Sequence, residues 1–395
     1  MKFIKYFSFL LLLILMSCKN DPKLISELEN IHATIKSEFA PDKRVELFDI
    51  NFELADNQLI LEGETTSKKA FSILLDSLNN RKLQFTNNVR VLPDAALGNL
   101  QFAVAKNSVI NIRSEPKHSA ELGTQGLLGM SLKVLDQKGD FYRIQTPDMY
   151  ISWVDRGGIQ LLNKAEIDTW NQAKKVLFTK NFGYVFADKK DEATIISDVT
   201  LGGILEYISE DDTFYEVKYP DNRTGFIKKE EAVIYDSWLE NVVSSKENIE
   251  AVAKNFGGFP YLWGGTSSKG MDCSGFTKMV YLLNGLVIPR DASQQINAGK
   301  TVDATLKFEG LEKGDLLFFG TKATSGTKQR VVHVAIWLGN SKMEFIHSSG
   351  NVHLSSMDAS QPNYDEFNKN RYLGSKRYLG VKDAMIIDLK EKMKL

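Results

Sequence analysis

The sequence predicts a multidomain protein with a small α+β unit at the N-terminus, two small β-barrels in the middle and a C-terminal α+β domain. Three observations predict it. At 395 residues the chain exceeds what one ordinary core supports, which points to two to four domains. From about Leu100 the pattern becomes short alternating runs broken by Gly, Pro and Asp, and a more divergent stretch repeats that order over about 176–235. From Trp238 a helical stretch leads into a last unit that mixes a helix with alternating strands. The reading divides the chain into 1–17, 18–98, 99–163, 164–236 and 237–395. A net charge of -1 offers neither a basic face for nucleic acid nor a disordered acidic tail.

Residues 1–17 read as an export signal. Lys2 and Lys5 precede the apolar run Tyr6 to Met16, which is too short for a comfortable transmembrane helix. The run ends Leu15-Met16-Ser17-Cys18, which resembles the bacterial lipobox, although smaller residues are commoner where Met16 stands. That resemblance implies an exported, membrane-anchored lipoprotein, held in the periplasm or at the cell surface by lipid on Cys18. An uncleaved anchor or an ordinary signal with an incidental cysteine is the alternative. With Cys18 lipidated, Cys273 has no disulfide partner, and a lone exported thiol is an oxidation liability unless its chemistry or its burial keeps it.

In the 18–98 unit, Leu24, Leu28, Ile31 and Ile35 stand at helical spacing over 24–39. Strand-like runs follow at Arg44 to Leu54 and Gln58 to Thr65 around the turn-forming Asp56-Asn57. A second helix over 68–79 and a strand from Asn88 to Leu92 complete an α-β-β-α-β order loosely similar to BON-type modules. Residues 99–163 read as five or six short strands. With Asn111-Ile112-Arg113 early and "ISWV" as the closing strand, they resemble a bacterial SH3-like barrel. The divergent copy follows within 164–236, after a short helical linker at Asn163 to Lys175. A single helical stretch is expected over Trp238 to Phe256.

The last unit carries the chemistry. Phe276, Met279, Val280 and Leu283 form an amphipathic stripe ending at Gly285, so Cys273 sits at a helix N-terminus, where the dipole favours thiolate. A cysteine at a helix start is by itself more often a buried hydrophobe. Of five histidines, His32 and His118 lie far upstream, whereas His333, His347 and His353 share one stretch of twenty-one residues that lies downstream of Cys273. In "VVHVAIWLGN" the alternation places Val332, Val334, Ile336 and Leu338 on one face and His333, Ala335 and Trp337 on the other. His347 on the next strand stands ready to bind the second ring nitrogen of His333, the nucleophile, base and orienter logic of cysteine hydrolases. Cys273 lacks a nearby second ligand at metal spacing, which argues against zinc.

The blocks "YLWGG", "DCSGF", "PRDASQQ", "EKGDLLFF", "HVAIWLGN" and "FIHSSG" occur in the order and approximate spacing of the NlpC-type peptidases, over about 245–380. This resemblance implies a circularly permuted papain-like fold and hydrolysis of γ-D-glutamyl-diamino acid bonds in peptidoglycan stem peptides, without metal or organic cofactor. It implies Cys273 as nucleophile, His333 as general base and His347 as the polar third member. Tyr261 is placed near the oxyanion site, with Asp272 and Ser274 as substrate contacts. Asp291 is implied to hold the free amine of an N-terminal L-alanine, with Glu121 and Tyr150 of the first barrel capping the cleft. A solvated acid and a barrel-packing aromatic are the plain alternatives for those two. Two departures stand out: the interval from His333 to His347 is longer than is common, and Ala292 replaces a frequent serine. Two other functions stay open, an endopeptidase of intact cross-linked wall and a non-catalytic wall-binding lipoprotein.

Overall fold

The computed structural model describes residues 22–55, 58–190 and 193–391. The export signal, Cys18 and the Asp56-Asn57 turn lie outside the described residues. The chain forms two compact units, one ending at Leu92 and one beginning at Pro93. Among the described residues no helix is long and apolar enough to cross a membrane.

In the first unit α1 (Pro22–Phe39) is followed by β1 (Phe48–Ala55), β2 (Gln58–Thr65), α2 (Lys68–Asn80) and β3 (Phe85–Val91). The α-β-β-α-β order is as expected. β1 and β2 pair antiparallel, and α2 crosses over to bring β3 parallel to β2. Leu28, Leu61, Leu74 and Leu78 meet in the core because both helices present their apolar stripe to one face of the sheet. The expected boundary at 98 moves to Leu92. Leu92 N still donates to Thr65 O, whereas Asp94 N donates to Leu135 O of the next unit, both at 2.8 Å.

The second unit opens with seven strands rather than five or six. These are β4 (Phe102–Ala105), β5 (Val109–Arg113), β6 (Leu122–Leu127), β7 (Ser131–Lys138), β8 (Phe141–Gln145), β9 (Ile151–Asp155) and β10 (Ile159–Leu162). They run in the order β10-β4-β7-β8-β9-β5-β6. Helix α3 (Lys164–Gln172) begins at a capping box in which Asn163 and Glu166 satisfy each other's backbone amides. Seven more strands follow: β11 (Lys175–Phe178), β12 (Phe182–Phe186), β13 (Ile195–Thr200), β14 (Ile204–Glu210), β15 (Phe214–Lys218), β16 (Thr224–Lys228) and β17 (Ala232–Ile234). Their order, β13-β12-β16-β15-β14-β11-β17, is the same permutation read from the other edge. The divergent repeat in the sequence is therefore a repeat of topology.

The expected helix over Trp238 to Phe256 is instead two, α4 (Tyr235–Asn241) and α5 (Lys246–Asn255). Ser245 breaks it by capping α5, its hydroxyl accepting from Asn248 N at 3.2 Å. Short strands β18 (Thr266–Ser267) and β19 (Gly270–Met271) lead into α6 (Cys273–Leu282). After β20 (Leu286–Val287), α7 (Ala292–Gln295) and β21 (Lys300–Thr301) come β22 (Leu316–Thr321), β23 (Arg330–Trp337), β24 (Glu344–Ser349) and β25 (Asn351–Ser356). Helix α8 (Glu366–Asn370), β26 (Tyr372–Arg377) and β27 (Ile387–Asp388) close the chain. The main sheet runs β21-β26-β22-β23-β24-β25. Phe276, Met279 and Val280 of α6 pack on Phe318, Val334, Ile336 and Ile346 of the sheet. Helix α6 is buried over Cys273 to Tyr281, so it is a central helix whose buried face is wider than its amphipathic stripe predicts.

Candidate active site

Asp272 caps α6 and fixes where Cys273 stands. Its Oδ1 accepts from Gly275 N at 2.7 Å and its Oδ2 from Gly264 N at 2.9 Å. Gly275 must be a glycine, because a Cβ there would lie 2.0 Å from Gly265 O. Arg290, whose side chain is 1% exposed, grips Asp272 with Nη2 on Oδ2 at 2.7 Å and Nη1 on Oδ1 at 3.1 Å. The same guanidinium donates to Ser274 Oγ at 2.8 Å and, through Nε, to Thr124 Oγ1 of the first barrel at 2.9 Å. Asp272 and Ser274 therefore flank the thiol as expected, but their polar atoms are engaged within the protein.

Cys273 is a free thiol, buried at 8% exposure. Burial, followed by the charge of Asp272, pushes its pKa up to about 12. The Val334 and Ser274 backbone groups and the Arg290 charge pull the other way and lose. The expected dipole-favoured thiolate thus gives way to a neutral resting thiol. Tyr261 N donates to Gly350 O at 2.9 Å. Burial and then the neighbouring Cys273 raise its phenol well above the ordinary range, so it stays a hydrogen-bond donor.

The histidines come from the two strands beside the helix. His333 Nε2 and His347 Nδ1 are 2.7 Å apart, and both rings are buried. They fit between the strands because β23 and β24 pair only at Ile336↔Ile346 and Trp337↔Phe345 and then separate. A bulge opposite Phe319 and Gly320 breaks the strict alternation and leaves Val332 exposed, rather than on the inner face with Val334. The longer interval is absorbed in the β23–β24 turn, where Gly339 and Met343 take positive φ and Asn340 Oδ1 accepts from Glu344 N at 3.1 Å. Burial first and His347 second depress the basicity of His333 well below the usual imidazole range. His347 falls to about 3, from burial and then His353. At neutral pH both rings are neutral.

The first barrel reaches the same place. Trp263 Nε1, on a side chain that is 61% exposed, donates to Glu121 Oε1 at 2.6 Å. Tyr150 is buried within electrostatic reach of Arg290. Asp291 caps α7, its carboxylate 3.9 Å from Arg290 Nη1. The barrel is fastened by Thr266, which exchanges hydrogen bonds with Gln125 at 2.9–3.0 Å, and by the buried pair Lys278–Asp148 at 2.7 Å. Gly264, at φ +76°, lies so close that a Cβ would sit 2.2 Å from Leu122 O. His32 stacks on Phe48 within the first unit, and His118 packs on Phe141. Sequence reasoning missed Arg290, although it stands beside Asp291, because an arginine is expected at the surface. It also assigned no role to His353 or Trp263.

The NlpC/P60 family matches residues 258–371, and the bacterial dipeptidyl-peptidase Sh3 domain matches residues 112–159. A gamma-D-glutamyl-L-lysine dipeptidyl-peptidase from Bacillus cereus is 32% identical over 268 residues, covering 66% of this chain and 76% of that protein. Dipeptidyl-peptidase 6 from Lysinibacillus sphaericus is 29% identical over 278 residues, covering 66% and 94%. The crystal structure of a NlpC/P60 family protein from Bacillus cereus has a TM-score of 0.59 at 26% identity, over 70% of this chain and 99% of that one. With a thiol at a helix start, a bonded histidine pair and an SH3-type domain ahead of them, this chain belongs to the NlpC/P60 family and is a cysteine peptidase.

Proposed function

We propose that this chain is an exported, lipid-anchored peptidase that hydrolyses the γ-D-glutamyl-diamino acid bond of peptidoglycan stem peptides carrying a free N-terminal L-alanine. The observation that carries the reading is the buried thiol at the start of α6, hydrogen-bonded to the backbone of Val334 beside the His333–His347 pair, with Glu121 of the first barrel bonding Trp263. Two relatives are dipeptidyl-peptidases, one of them named for γ-D-glutamyl-L-lysine. The sequence Lys2 to Cys18 supports export and lipidation. The two seven-stranded sheets are read as SH3-like barrels on their shared strand order, and the C-terminal domain as a permuted papain-like fold.

Thiol and imidazole are both neutral at rest, so proton transfer accompanies attack. As Cys273 Sγ bonds to the γ-carbonyl carbon, its proton passes to His333 Nδ1, since Nε2 is held by His347. Tyr261 donates to the developing oxyanion. His333 returns the proton to the leaving amine, the C–N bond breaks, and water hydrolyses the thioester in the reverse sense. Glu121 and Asp291 complement the substrate ammonium, whereas an acylated amine carries no charge and forfeits that attraction. That preference points to fragments already cut from muramic acid, the products of an amidase-type reaction.

Mass spectrometry of L-Ala-γ-D-Glu-L-diamino acid tripeptide, its N-acetylated form and intact sacculi tests this. The free tripeptide is cleaved to L-Ala-D-Glu, the acetylated one is not, and Cys273→Ala abolishes turnover while leaving the thermal transition in place. Turnover by Cys273→Ala would overturn the mechanism, and equal cleavage of sacculi would overturn the free-amine specificity.

A further inference from the structure

The catalytic histidine line does not end at His347. His347 Nε2 lies 3.1 Å from His353 Nε2 and 3.1 Å from Ser355 Oγ, and His353 Nδ1 lies 3.0 Å from the carbonyl oxygen of Asn351 and 3.0 Å from its Oδ1. A backbone carbonyl only accepts, so His353 Nδ1 carries a proton, and in the neutral ring Nε2 then presents a lone pair. His347 Nε2 then donates to it, which leaves His347 Nδ1 as acceptor. His333 Nε2 must donate to that acceptor, and His333 Nδ1 is left with the lone pair that takes the thiol proton. Ser355 cannot set this direction, because a hydroxyl donates or accepts with equal ease.

We infer that His353, oriented by the Asn351 carbonyl, is a positioning residue that fixes the tautomers of His347 and His333 and so holds His333 in its base form. The inference rests on His333 being the base of the proposed reaction. When His333 takes the thiol proton, its Nε2–H bonds to His347 Nδ1, and the lone pair of His353 strengthens that acceptor through the second ring nitrogen. The residue touches no reacting atom. It acts through His347.

The test compares His353→Leu, His353→Gln and Ser355→Ala, and reads the ring-nitrogen tautomers of the unmodified protein by 15N NMR. His353→Leu removes the acceptor and lowers kcat about ten-fold with KM nearly unchanged, a part of the ~10²–10⁴-fold worth of a general base. Gln, whose side-chain oxygen can accept at the position of Nε2, restores most of the rate. Iodoacetamide alkylation of Cys273 slows in step, a readout that needs no substrate. In the unmodified protein, His353 is protonated at Nδ1 and both His347 and His333 at Nε2. Protonation of His347 at Nδ1 overturns the inference even if a variant fails to fold. So does a silent His353→Leu beside a damaging Ser355→Ala. If no peptide is cleaved at all, the proposed substrate fails while tautomers and alkylation still decide the role of His353.

Discussion

Replacing Arg290 by Met should uncouple three things at once. The guanidinium makes four hydrogen bonds of 2.7–3.1 Å to Asp272, Ser274 and Thr124, and it and Asp272 are 1% and 10% exposed. Methionine fills much of the volume but leaves the Asp272 carboxylate buried without its cation. Breaking one partner of such a pair costs about 3–5 kcal/mol, most of it the stranded charge. For a unit of this size that corresponds to a fall in Tm of about 6–10 °C. Because Asp272 also caps α6, the loss reaches Cys273, and kcat should fall more than KM rises. Lys in place of Arg keeps the charge but cannot span Asp272, Ser274 and Thr124 together, so its cost is intermediate. Adding Asp272→Asn to Arg290→Met removes the stranded charge while keeping a competent cap, and should recover about 1–2 kcal/mol. Chemical unfolding of the parent, Arg290→Met, Asp272→Asn and the double variant reads the cycle. Stability of Arg290→Met within about 1 kcal/mol of the parent, or no recovery in the double variant, would refute the account.

Two further outcomes follow. Gly264→Ala forces a Cβ against Leu122 O at positive φ, so it should cost about 2–4 kcal/mol and lower kcat/KM through the loosened barrel, and a parental Tm would sink this. His347 has a folded pKa of about 3 against an ordinary 6.5, so the unfolded chain binds the extra proton between those values. Its contribution is full above pH 6.5 and lost as pH falls toward 3, at most about 5 kcal/mol, with His333 acting in the same direction. Urea midpoints measured from pH 7 to 4 should drop less steeply in His347→Gln than in the parent, and parallel curves would contradict the assignment.

What was legible in the sequence was local. The cap and stripe at 272–283 located α6, and alternation located the histidine strands, because both follow from backbone period and from which residues tolerate burial. The repeat survived divergence because turns and strand spacing carry topology. What misled were features fixed only by tertiary packing. The dipole argument for a Cys273 thiolate ignored that α6 is enclosed on every side, and desolvation outweighs a helix end. Alternation through Val332 ignored a bulge written into β22 as much as into β23. Ser245 had the sequence of a cap, but the continuous apolar pattern around it hid the break between α4 and α5.

Arg290 was illegible for a reason that bears on function. Its partners lie at 124, 272 and 274, so no window of sequence contains the cluster. Long-range polar contacts of this kind are costly to bury and are kept where they fix a geometry. Here they join the cap of the cysteine helix to a barrel strand, and Lys278–Asp148 repeats the device on the same helix. The second seven-stranded sheet is tied to the first barrel by Leu128, which is buried in its core and whose carbonyl accepts from Ile204 N at 2.9 Å, and to the last domain by a partly exposed pair. Lys269 bridges to Asp198 with side chains 42% and 31% exposed, a link of the kind worth less than about 1 kcal/mol. The buried polar links to the cysteine helix thus come from the first barrel. If Glu121 reads the substrate amine, its distance from Cys273 has to be held to a fraction of a bond length. A mobile wall-binding module would have no use for that rigidity, and the buried arginine and lysine are what supply it.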